Sequence, residues 1–543
     1  NGVAKYTANT SVTHSPVSRV GTQLANNHSV FFNTDNGTGP YPGDKLAIIG
    51  DSDIALGTQN FSISMWYFRE NSTGGTSYAC YYGGVNGQQG GPLFAYAGNL
   101  LYLTSVNGSW NLISGLDMQV DKNCWNHIVL ARNGTTISAF TNGHRIHTIT
   151  TSAAIYQGVN NIYFGNVGFH GGVYDFQTVI GGYLYDATAT SYTVPTSPGT
   201  NVSNTQVLAI RKSDFRDESD NAYPVHTYGQ AISSTFNPYD NGYWSVHFDG
   251  TDDYIDIPGQ TSALSGQWSL ELWFKKQDSS TDIIVSTDTT DQFQLNIQDS
   301  GDFHFSYNGS SPIFDVASGT NLHEWFHICI TRDASNYVRG YINGVLKAYV
   351  YNTGNPTLNG FSVGDQRSTG SHDTFGKVSN LRLVVGSIPT SYQSSETSLG
   401  TSVFTPPTDY LTRTSQGATA GDVELLICQS GALIDNSQAN SGIGYSITAS
   451  GDARVSRSRP FSTELARDQI LLACQDKEVQ KDNSHLDTRF TKTGDVTRSA
   501  HNPFDNGYWS GQFDGDDYLT LPTTSEHDFG TGDFTVEFFV YPR

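Results

Sequence analysis

The sequence predicts an all-β protein built from tandem two-sheet sandwiches. Alternating apolar and polar residues recur in short segments, in the same order along the chain. Gly, Pro, Asn and Asp separate these segments, and long helix-forming runs of Ala, Leu, Glu and Lys are missing. At 543 residues the chain is too long for a single core. We therefore expect several sandwiches, each with an apolar interior of its own.

The protein is strongly acidic, with 29 Lys and Arg residues, 51 Asp and Glu residues and a net charge of −22. Such a surface repels phosphate groups, which excludes nucleic acid as a partner class. Neutral glycans and calcium are compatible with this charge, although solubility alone is the favoured explanation of it.

Other composition features limit the location and the chemistry. No run of 18 apolar residues is present, so we expect no membrane insertion, and no signal peptide is visible. Five cysteines do not make a disulfide framework, although Cys80 and Cys124 could meet in the first domain. The chain begins at Asn1, and we treat both of its ends as cut points of a longer protein.

Internal repeats are the most informative feature. Residues 237–258 read NPYDNGYWSVHFDGTDDYIDIP, and residues 502–522 read NPFDNGYWSGQFDGDDYLTLP. A fainter copy lies at Ser29–Asn33. An alternating strand follows each copy: Phe61–Tyr67, Trp268–Phe274 and Phe534–Val540. Large apolar residues occupy every second position, so each strand is expected to be buried on one face and partly covered on the other.

A second signature occurs in both complete domains. Residues 125–132 (WNHIVLAR) match residues 325–332 (WFHICITR). An Asn-Gly pair follows in each case, at Asn142-Gly143 and at Asn343-Gly344, and Asn-Gly between two β-rich runs predicts a hairpin.

These repeats predict the following division of the chain: an N-terminal connector 1–28, a sandwich 29–196, a connector unit 197–243, a second sandwich 244–408, two tandem connector units 409–508, and the start of a third sandwich 509–543. Each connector is expected to hold a short apolar strand, an Asx-type turn and a second strand, and to act in spacing and docking. The third copy is too short to close a sandwich, so we expect the molecule to continue.

The order of motifs resembles the laminin-G-like branch of the concanavalin A-like lectin/glucanase superfamily, over about two-thirds of the chain. The resemblance implies tandem jelly-roll sandwiches of two antiparallel sheets. The connector pattern (LLxCQ…DNS…GD…PF) resembles large virion structural and fibre proteins of marine tailed phages, including cyanophages. That resemblance implies a location on the virion surface, with other virion proteins and self-association as partners.

No catalytic machinery is recognisable, and we expect the protein not to be an enzyme. Glucanases of this superfamily carry two glutamates around an aspartate, E-x-D-x-x-E, on one strand. The equivalent strands here offer only Glu271 and Glu537, and Ser64 stands at that position in the first domain. One carboxylate cannot serve as both nucleophile and acid. His127 and His327 occupy equal positions beside a Trp, and we expect them to be half-buried and hydrogen-bonded to backbone rather than to bind metal.

Two acidic turns are the candidate calcium ligands, and we expect no other cofactor. The carboxylates are those of Asp249, Asp252, Asp253, Asp514, Asp516 and Asp517. A tight Asp-Gly hairpin explains the same residues without metal, and it is the favoured interpretation.

The candidate carbohydrate contacts lie in three segments that we expect to be surface loops. They combine aromatic rings with polar groups: Tyr81, Tyr82, His170, Tyr174, Asp365 and Arg367. Two main hypotheses follow. The protein is a non-enzymatic virion surface or fibre protein of a tailed phage, used for adhesion to host-surface glycans or for decoration of the particle. Alternatively, it is a secreted or cell-surface bacterial adhesin that binds polysaccharide. A polysaccharide-cleaving enzyme is the least favoured class.

Overall fold

The computed structural model describes residues 28–33, 45–69, 78–83, 90–95, 99–165, 169–212, 214–228, 232–234, 237–239, 244–287, 293–307, 312–365, 373–451, 453–456, 460–461, 471–474, 490–499, 510–521 and 534–542. Almost all regular structure in this part of the chain is antiparallel β-sheet. None of its helices has the length and apolar character that a membrane span requires.

Sandwich 1 consists of an eight-stranded front sheet and a seven-stranded back sheet. Its strands are β1 Ser29–Asn33, β2 Lys45–Ile49, β3 Phe61–Arg69, β4 Tyr78–Tyr82, β5 Leu93–Ala95, β6 Leu100–Leu103, β7 Ile113–Asp117, β8 Trp125–Asn133, β9 Thr136–Thr141, β10 His144–Thr150, β11 Asn161–Phe164, β12 His170–Ile180, β13 Thr205–Ala209, β14 Val225–Tyr228 and β15 Ile232–Ser234. The front sheet has the order β10-β9-β8-β3-β12-β1-β15, with β13 beside β12, and the back sheet has the order β14-β2-β11-β4-β5-β6-β7.

Sandwich 2 repeats this plan. Its strands are β16 Ser245–Asp249, β17 Tyr254–Ile257, β18 Trp268–Lys276, β19 Asp282–Ser286, β20 Phe293–Ile297, β21 Asp302–Tyr307, β22 Phe314–Ala317, β23 Trp325–Arg332, β24 Tyr337–Ile342, β25 Val345–Tyr351, β26 Phe361–Val363, β27 Phe375–Val385, β28 Val423–Ile427, β29 Thr448–Ser450 and β30 Arg454–Ser456. The front sheet has the order β25-β24-β23-β18-β27-β16-β30, with β28 beside β27, and the back sheet has the order β22-β21-β20-β19-β26-β17-β29.

Four short strands follow: β31 Thr491–Thr493 and β32 Thr497–Ser499 in the last connector unit, and β33 Ser510–Gln512 and β34 Tyr518–Thr520 in the third repeat. β31 pairs with β34, and β32 pairs with β33. The described helical turns are short: Ser52–Ile54, Thr390–Tyr392, Ser415–Gly417, Ala420–Asp422 and Ala439–Gly442. The predicted all-β class of tandem jelly-roll sandwiches is confirmed.

Alternation along the central strands builds the cores. In β3, Ile63, Met65 and Tyr67 are buried between the two sheets of sandwich 1. In β18, Leu270 and Leu272 take the same places in sandwich 2. Burying such side chains contributes about 1.5–3 kcal/mol each, so the period-two pattern itself drives the sheets together.

The two Asn-Gly pairs form the predicted hairpins. Asn142 and Gly143 have φ values of 48° and 88°, and Asn343 and Gly344 have φ values of 50° and 77°. Each Asn carboxamide also accepts a hydrogen bond from the backbone N–H of the histidine on the neighbouring strand, at 2.8 Å in both sandwiches. The turn residue therefore fixes the register of the strand beside it.

The connector segments supply strands to the sandwich that precedes them, and the last connector unit also pairs β31 and β32 with strands of the repeat that follows. In segment 197–243, β13, β14 and β15 pair with β12, β2 and β1. In segment 409–508, β28, β29 and β30 pair in the same way with β27, β17 and β16. Each connector thus covers edges of both sheets, which would otherwise offer unpaired backbone groups. A strand of three to five residues gives no sequence signal for a partner some 200 residues away, and only the fold reveals the pairing.

A segment that we call the strap covers the outer face of each front sheet. It comprises residues 181–200 in sandwich 1 and residues 386–418 in sandwich 2. In sandwich 1, Leu184 N–H donates to Ser62 Oγ at 2.8 Å, and Ser138 Oγ donates to the Ala187 carbonyl at 2.6 Å. In sandwich 2, Arg382 Nη1 donates to the Thr412 carbonyl at 2.7 Å. The front face is therefore largely closed in both domains.

The two sandwiches meet through the second connector. Trp125 of sandwich 1 is fully buried, and its backbone N–H donates to the Gly431 carbonyl at 2.9 Å. Trp125 and Cys124 pack in one apolar cluster with Trp244 and Leu433. Cys80 lies instead in the core of sandwich 1, and both cysteines are free thiols. The contact between Cys80 and Cys124 that the sequence left open is therefore not made, because the two side chains face different clusters.

The junction contains a buried carboxylate that makes stability depend on pH. Asp121 Oδ1 accepts a hydrogen bond from Ala449 N–H at 2.9 Å. Burial raises the pKa of Asp121 from 3.8 to about 6, although this hydrogen bond opposes the rise. Since the folded-state pKa is the higher one, the ionised carboxylate destabilises the junction above pH 6, and the penalty fades as the pH falls towards 4.

We expect Asp121→Asn to raise the melting temperature at pH 8 by roughly 2–4 °C, because the amide oxygen still accepts the hydrogen bond and the buried charge is gone. The gain should vanish at pH 4. Calorimetry at both pH values checks this. Asp117→Asn, at an exposed position of the same domain, is the control and should behave alike at both pH values. A gain from Asp121→Asn of equal size at pH 4 would contradict the assignment.

Candidate functional site

The carboxylate that stands at the position of the glucanase glutamates is sealed inside sandwich 2. Glu271 is fully buried, and Arg382 Nη2 donates to its Oε1 at 2.5 Å. Tyr392 Oη donates to its other oxygen at 2.5 Å, and His327 Nε2 lies 3.3 Å from that oxygen. Burial alone would raise the pKa of Glu271, but Arg382 and His327 outweigh it and hold the pKa below its usual value. The strap separates this cluster from solvent.

Sandwich 1 carries an uncharged version of the same cluster. Ser64 and Gln177 face each other across β3 and β12, as Glu271 and Arg382 do across β18 and β27. The ion pair is therefore not required by the fold, and it replaces a neutral pair at one register position.

Both signature histidines are buried and bonded to side chains rather than half-buried and bonded to backbone. His127 Nδ1 lies 2.6 Å from Tyr192 Oη, a strap residue. Burial lowers the pKa of His127 to about 3, which keeps this ring neutral. The partner of His127 comes from the strap, which has no recognisable pattern, and the partner of His327 is Glu271 on the neighbouring strand β18.

The acidic turn of sandwich 2 uses its carboxylates on its own backbone. Asp253 is fully buried, and its Oδ2 accepts a hydrogen bond from Asp249 N–H at 2.8 Å. Asp249 Oδ1 accepts from Thr251 N–H at 2.8 Å. Asp252 is exposed and has a φ of 58°, as a tight turn requires. This arrangement agrees with the conformational interpretation of the turn, and calcium binding there stays a prediction.

The third repeat brings two of the predicted ligands together with one that the sequence did not single out. The carboxylates of Asp514 and Asp517 lie within 4.8 Å of that of Asp495. Asp517 also accepts hydrogen bonds from Asp495 N–H at 2.6 Å and from Asp514 N–H at 3.0 Å. The charges of Asp517 and Asp495 raise the pKa of Asp514. Asp516 is exposed and is not one of these three carboxylates, although its side chain also interacts with Asp514 and raises the pKa of Asp514.

The predicted carbohydrate contacts do not share one surface, and three of them, Tyr82, Tyr174 and Asp365, are corrected because they are buried. Tyr82 is fully buried in the core of sandwich 1, where its hydroxyl bonds Thr178. Tyr174 is fully buried in the cluster between the two sandwiches. Neither ring can touch a ligand. Segments 78–82 and 170–180 are strands rather than loops, so alternate side chains along them turn inward.

The other four predicted residues differ in position. His170 begins β12. Asp365 is 3% exposed, and its carbonyl accepts a hydrogen bond from Ser286 Oγ at 2.7 Å. Arg367 lies outside the described residues. Only Tyr81 joins a group of aromatic side chains on an outer face.

That group, which we call the tyrosine row, crosses the outer face of the back sheet of sandwich 1. Tyr163, Tyr81, Leu93 and Tyr102 stand directly opposite one another on β11, β4, β5 and β6. The Tyr81 and Tyr163 rings stack at 4.9 Å with an interplanar angle of 21°. Tyr81 is nearly covered by its neighbours, whereas Tyr163 and Tyr102 remain partly exposed.

Further groups extend the row at both ends. The Trp110 ring lies 5.2 Å from that of Tyr102. At the other end, Lys45 Nζ lies 5.3 Å from the Tyr163 ring centre and 5.0 Å from that of Tyr228. The row then crosses six strands from β14 to β6, a span of about 24 Å at the usual spacing of about 4.8 Å.

The same row in sandwich 2 is polar. Ser362, Ser286, Gln294 and Ser306 occupy the matching places on β26, β19, β20 and β21. They replace Tyr163, Tyr81, Leu93 and Tyr102. The fold therefore does not demand aromatic rings there, and their presence is particular to sandwich 1.

Comparison with known families agrees with this architecture. The family profile of the concanavalin A-like lectin/glucanases superfamily matches residues 42–183 and 249–386, about half of the chain. The chain belongs to this superfamily. A search of the curated proteins gave no match.

Several solved structures resemble the chain distantly. Domains LG4-5 of the mouse laminin alpha1 chain are 13% identical, with a TM-score of 0.27, over 73% of this chain and 99% of that one. The LG1-3 region of the laminin alpha2 chain is 12% identical, with a TM-score of 0.27, over 66% and 62%. A heptameric SAP-like pentraxin from Limulus polyphemus is 18% identical, with a TM-score of 0.23, over 26% and 76%.

The sequence predicted one residue of the tyrosine row of this lectin/glucanase superfamily member, Tyr81, and did not indicate the others. Tyr163 and Tyr102 lie far apart in the chain and become neighbours only when β11, β4, β5 and β6 pair. A strand-by-strand alignment of the two repeats carries a usable signal, because it sets tyrosine against serine at matched outward positions.

Proposed function

We propose that this protein is a non-enzymatic adhesion protein that binds a polysaccharide through the tyrosine row of sandwich 1. The observation that carries the proposal is the row itself. Two partly exposed tyrosines, a buried one and a leucine stand where the sister domain has serines and a glutamine. Membership of a superfamily named for lectins supports the choice of ligand.

The chemistry of the row suits a sugar polymer. A pyranose ring has apolar C–H faces and hydroxyl groups at its edge, and a tyrosine likewise combines an apolar ring with a polar hydroxyl. Asn161 Nδ2 donates to Tyr163 Oη at 3.0 Å, and this bond orients the hydroxyl. A shallow row about 24 Å long, crossing strands spaced about 4.8 Å apart, accommodates several sugar units in line.

The absence of enzymatic activity is part of the proposal. Two carboxylates facing a substrate are needed for glycoside hydrolysis of the usual kind. Glu271 supports the proposal, because it is fully buried and is already bonded to Arg382 and Tyr392. A hydrolysis assay on any polysaccharide that binds tests this. Release of reducing ends would contradict the proposal that the protein is not an enzyme.

We propose that the protein is located on the surface of a tailed-phage particle. Several tandem domains that each bind weakly would there bind a host surface tightly together. The connector motifs of the sequence support it. Immunogold labelling of purified virions tests the location, and a particle without label rejects it. Label on a bacterial surface would favour the alternative of a cell-surface adhesin.

We expect Tyr163→Ser/Tyr102→Ser to weaken polysaccharide binding at least about tenfold, because it removes two ring faces from the row. Both substitutions install the residue that sandwich 2 carries at the matching place. A glycan array first selects the polysaccharide, and isothermal titration with the wild type and the variant measures the loss.

Tyr183→Ser is the matched control, since Tyr183 is an exposed tyrosine of the same sandwich on its other side. The control should bind as tightly as the wild type. Unchanged affinity in the double variant, with an intact melting profile, would remove the row from the binding site.

A further inference from the structure

Sandwich 2 has an aromatic cluster of its own, on the hairpin at one edge of its front sheet. The rings of Tyr337 on β24 and Tyr349 on β25 stack at 4.8 Å with an interplanar angle of 13°. Tyr351 lies 5.4 Å from Tyr337 at 62° and is 59% exposed. We call these three residues the hairpin patch. They lie on the face of the sheet that the strap covers further in.

A buried arginine holds the patch in place. Arg339 is 4% exposed, and its guanidinium lies 5.0 Å from the Tyr349 ring centre and 5.9 Å from that of Tyr337. Its Nη1 lies 2.6 Å from Asp333 Oδ2, and its Nε donates to the Glu396 carbonyl of the strap at 3.1 Å. The rings are therefore ordered before any ligand arrives, which lowers the entropy cost of binding.

The sister domain again shows that the fold does not need these rings. On β9 and β10 of sandwich 1, the matching pairs are Thr136 with Thr150 and Ser138 with Thr148. In sandwich 2 the pairs are Tyr337 with Tyr351 and Arg339 with Tyr349. Hydroxyl residues thus stand where the patch has aromatic and cationic side chains. Each sandwich carries aromatic rings at one group of positions where its sister carries polar side chains.

The electrostatics of the patch indicate the kind of ligand. The positive charge of Arg339 is balanced by Asp333 at 2.6 Å, so the patch presents ring faces and hydroxyls without a net charge of its own. One exposed and two partly exposed tyrosines, preorganised and with no surplus charge, match an uncharged ligand that has both apolar C–H faces and hydroxyls. A neutral saccharide has this chemistry.

We infer that the hairpin patch is a second saccharide-binding site, for a neutral polysaccharide, separate from the tyrosine row. The inference rests on the proposed function for the class of ligand, and it adds a second site in another domain. The chain then carries two sites of different composition, because the row has Lys45 at its end and the patch has a neutralised arginine. Two sites on one chain hold a polymer more tightly than either alone.

The test is affinity electrophoresis of the full chain in gels that contain dextran, laminarin or xylan, with alginate as the anionic comparison. The variant is Tyr349→Thr/Tyr351→Thr, which installs the residues of sandwich 1. We expect its retardation in a gel that contains a neutral polysaccharide to be at least about fivefold smaller than that of the wild type. Tyr518→Thr, an exposed tyrosine on β34, is the control and should migrate as the wild type does.

Folding and the row are controlled separately. Melting curves of the variant must match those of the wild type, and Tyr351→Thr alone, at the most exposed ring, gives a milder second variant. Loss of retardation in the row variant Tyr163→Ser/Tyr102→Ser but not in the patch variants overturns this inference and leaves the proposed function standing. The reverse result supports the patch and rejects the row.

Two further outcomes also decide against the patch. Absence of retardation of the wild type in every neutral gel overturns it. A wild type that sediments as a dimer, patch variants that sediment as monomers and unchanged retardation would make the patch a contact between two copies of the chain instead.

Discussion

Glu271→Gln is expected to destabilise sandwich 2 by about 3–5 kcal/mol, the usual cost of removing one partner from a buried ion pair. The substitution leaves the Arg382 guanidinium fully buried without an opposite charge. It also weakens the acceptor of the Tyr392 hydroxyl, which ties the strap to the sheet. Urea unfolding, followed by tryptophan fluorescence, measures the loss.

Two variants control this result. Glu537→Gln changes the residue at the same position of the third repeat, which is exposed, and should change stability little. Glu271→Ser/Arg382→Gln reproduces the Ser64 and Gln177 pair of sandwich 1 and should recover more than half of the loss. A double variant less stable than the single one would show that the ion pair is not interchangeable with the neutral pair.

The pH dependence of the same variant has a defined sign. The folded-state pKa of Glu271 is lowered, so its stabilising effect is complete above the usual glutamate pKa of 4.5 and is lost as the pH falls through the folded-state value. The difference in stability between wild type and Glu271→Gln should therefore be constant from pH 6 to pH 8 and narrow in acid.

Gly344→Ala is expected to have the second large effect, a loss of roughly 2–5 kcal/mol in the free energy of unfolding. Gly344 has a φ of +77°, and a β-carbon there would lie 1.9 Å from the Phe404 carbonyl oxygen of the strap. The left-handed backbone costs an alanine about 1–2 kcal/mol, and displacing the strap adds about 1–3 kcal/mol. The hydrogen bond from Val403 N–H to the Gly344 carbonyl, at 2.8 Å, is lost if the strap moves.

Gly266→Ala isolates the conformational part of this cost. Gly266 has a φ of +73° and open space where the β-carbon would be. Its loss of stability, measured in urea, should be about 1–2 kcal/mol. Equal losses at Gly266 and Gly344 would mean that the strap yields freely and does not hold the hairpin.

Local pattern was sufficient to predict the central strands and the hairpins. Period-two alternation in β3 and β18 identified the segments that cross each core, and both Asn-Gly pairs adopt the left-handed conformations that their type requires. Tyr82 shows the limit of local pattern. Its strand was interpreted as a loop, because it is short and runs into the Gly83-Gly84 pair. The alternation of inward and outward side chains can be used only where a strand has been recognised.

The candidate sites were less predictable, because they form between strands that are distant in sequence. Tyr81 and Tyr163 stack only after β4 and β11 pair. The connectors raise the same difficulty: β15 pairs with β1 although the two lie at opposite ends of the domain. Tyr192, which bonds His127, and Tyr392, which bonds Glu271, come from straps that have no periodic pattern.

The long-range pairing of the connectors has a consequence for synthesis. Ser245 faces Ser456, a residue 211 positions later. A ribosome that adds about 5–20 residues per second needs roughly 10–40 s to deliver the closing strand after the first one emerges. During that interval the nascent domain exposes open edges. Other nascent chains on the same polysome expose the same edges. Strands of two growing chains can therefore pair with each other until the closing strand of each chain has been synthesised.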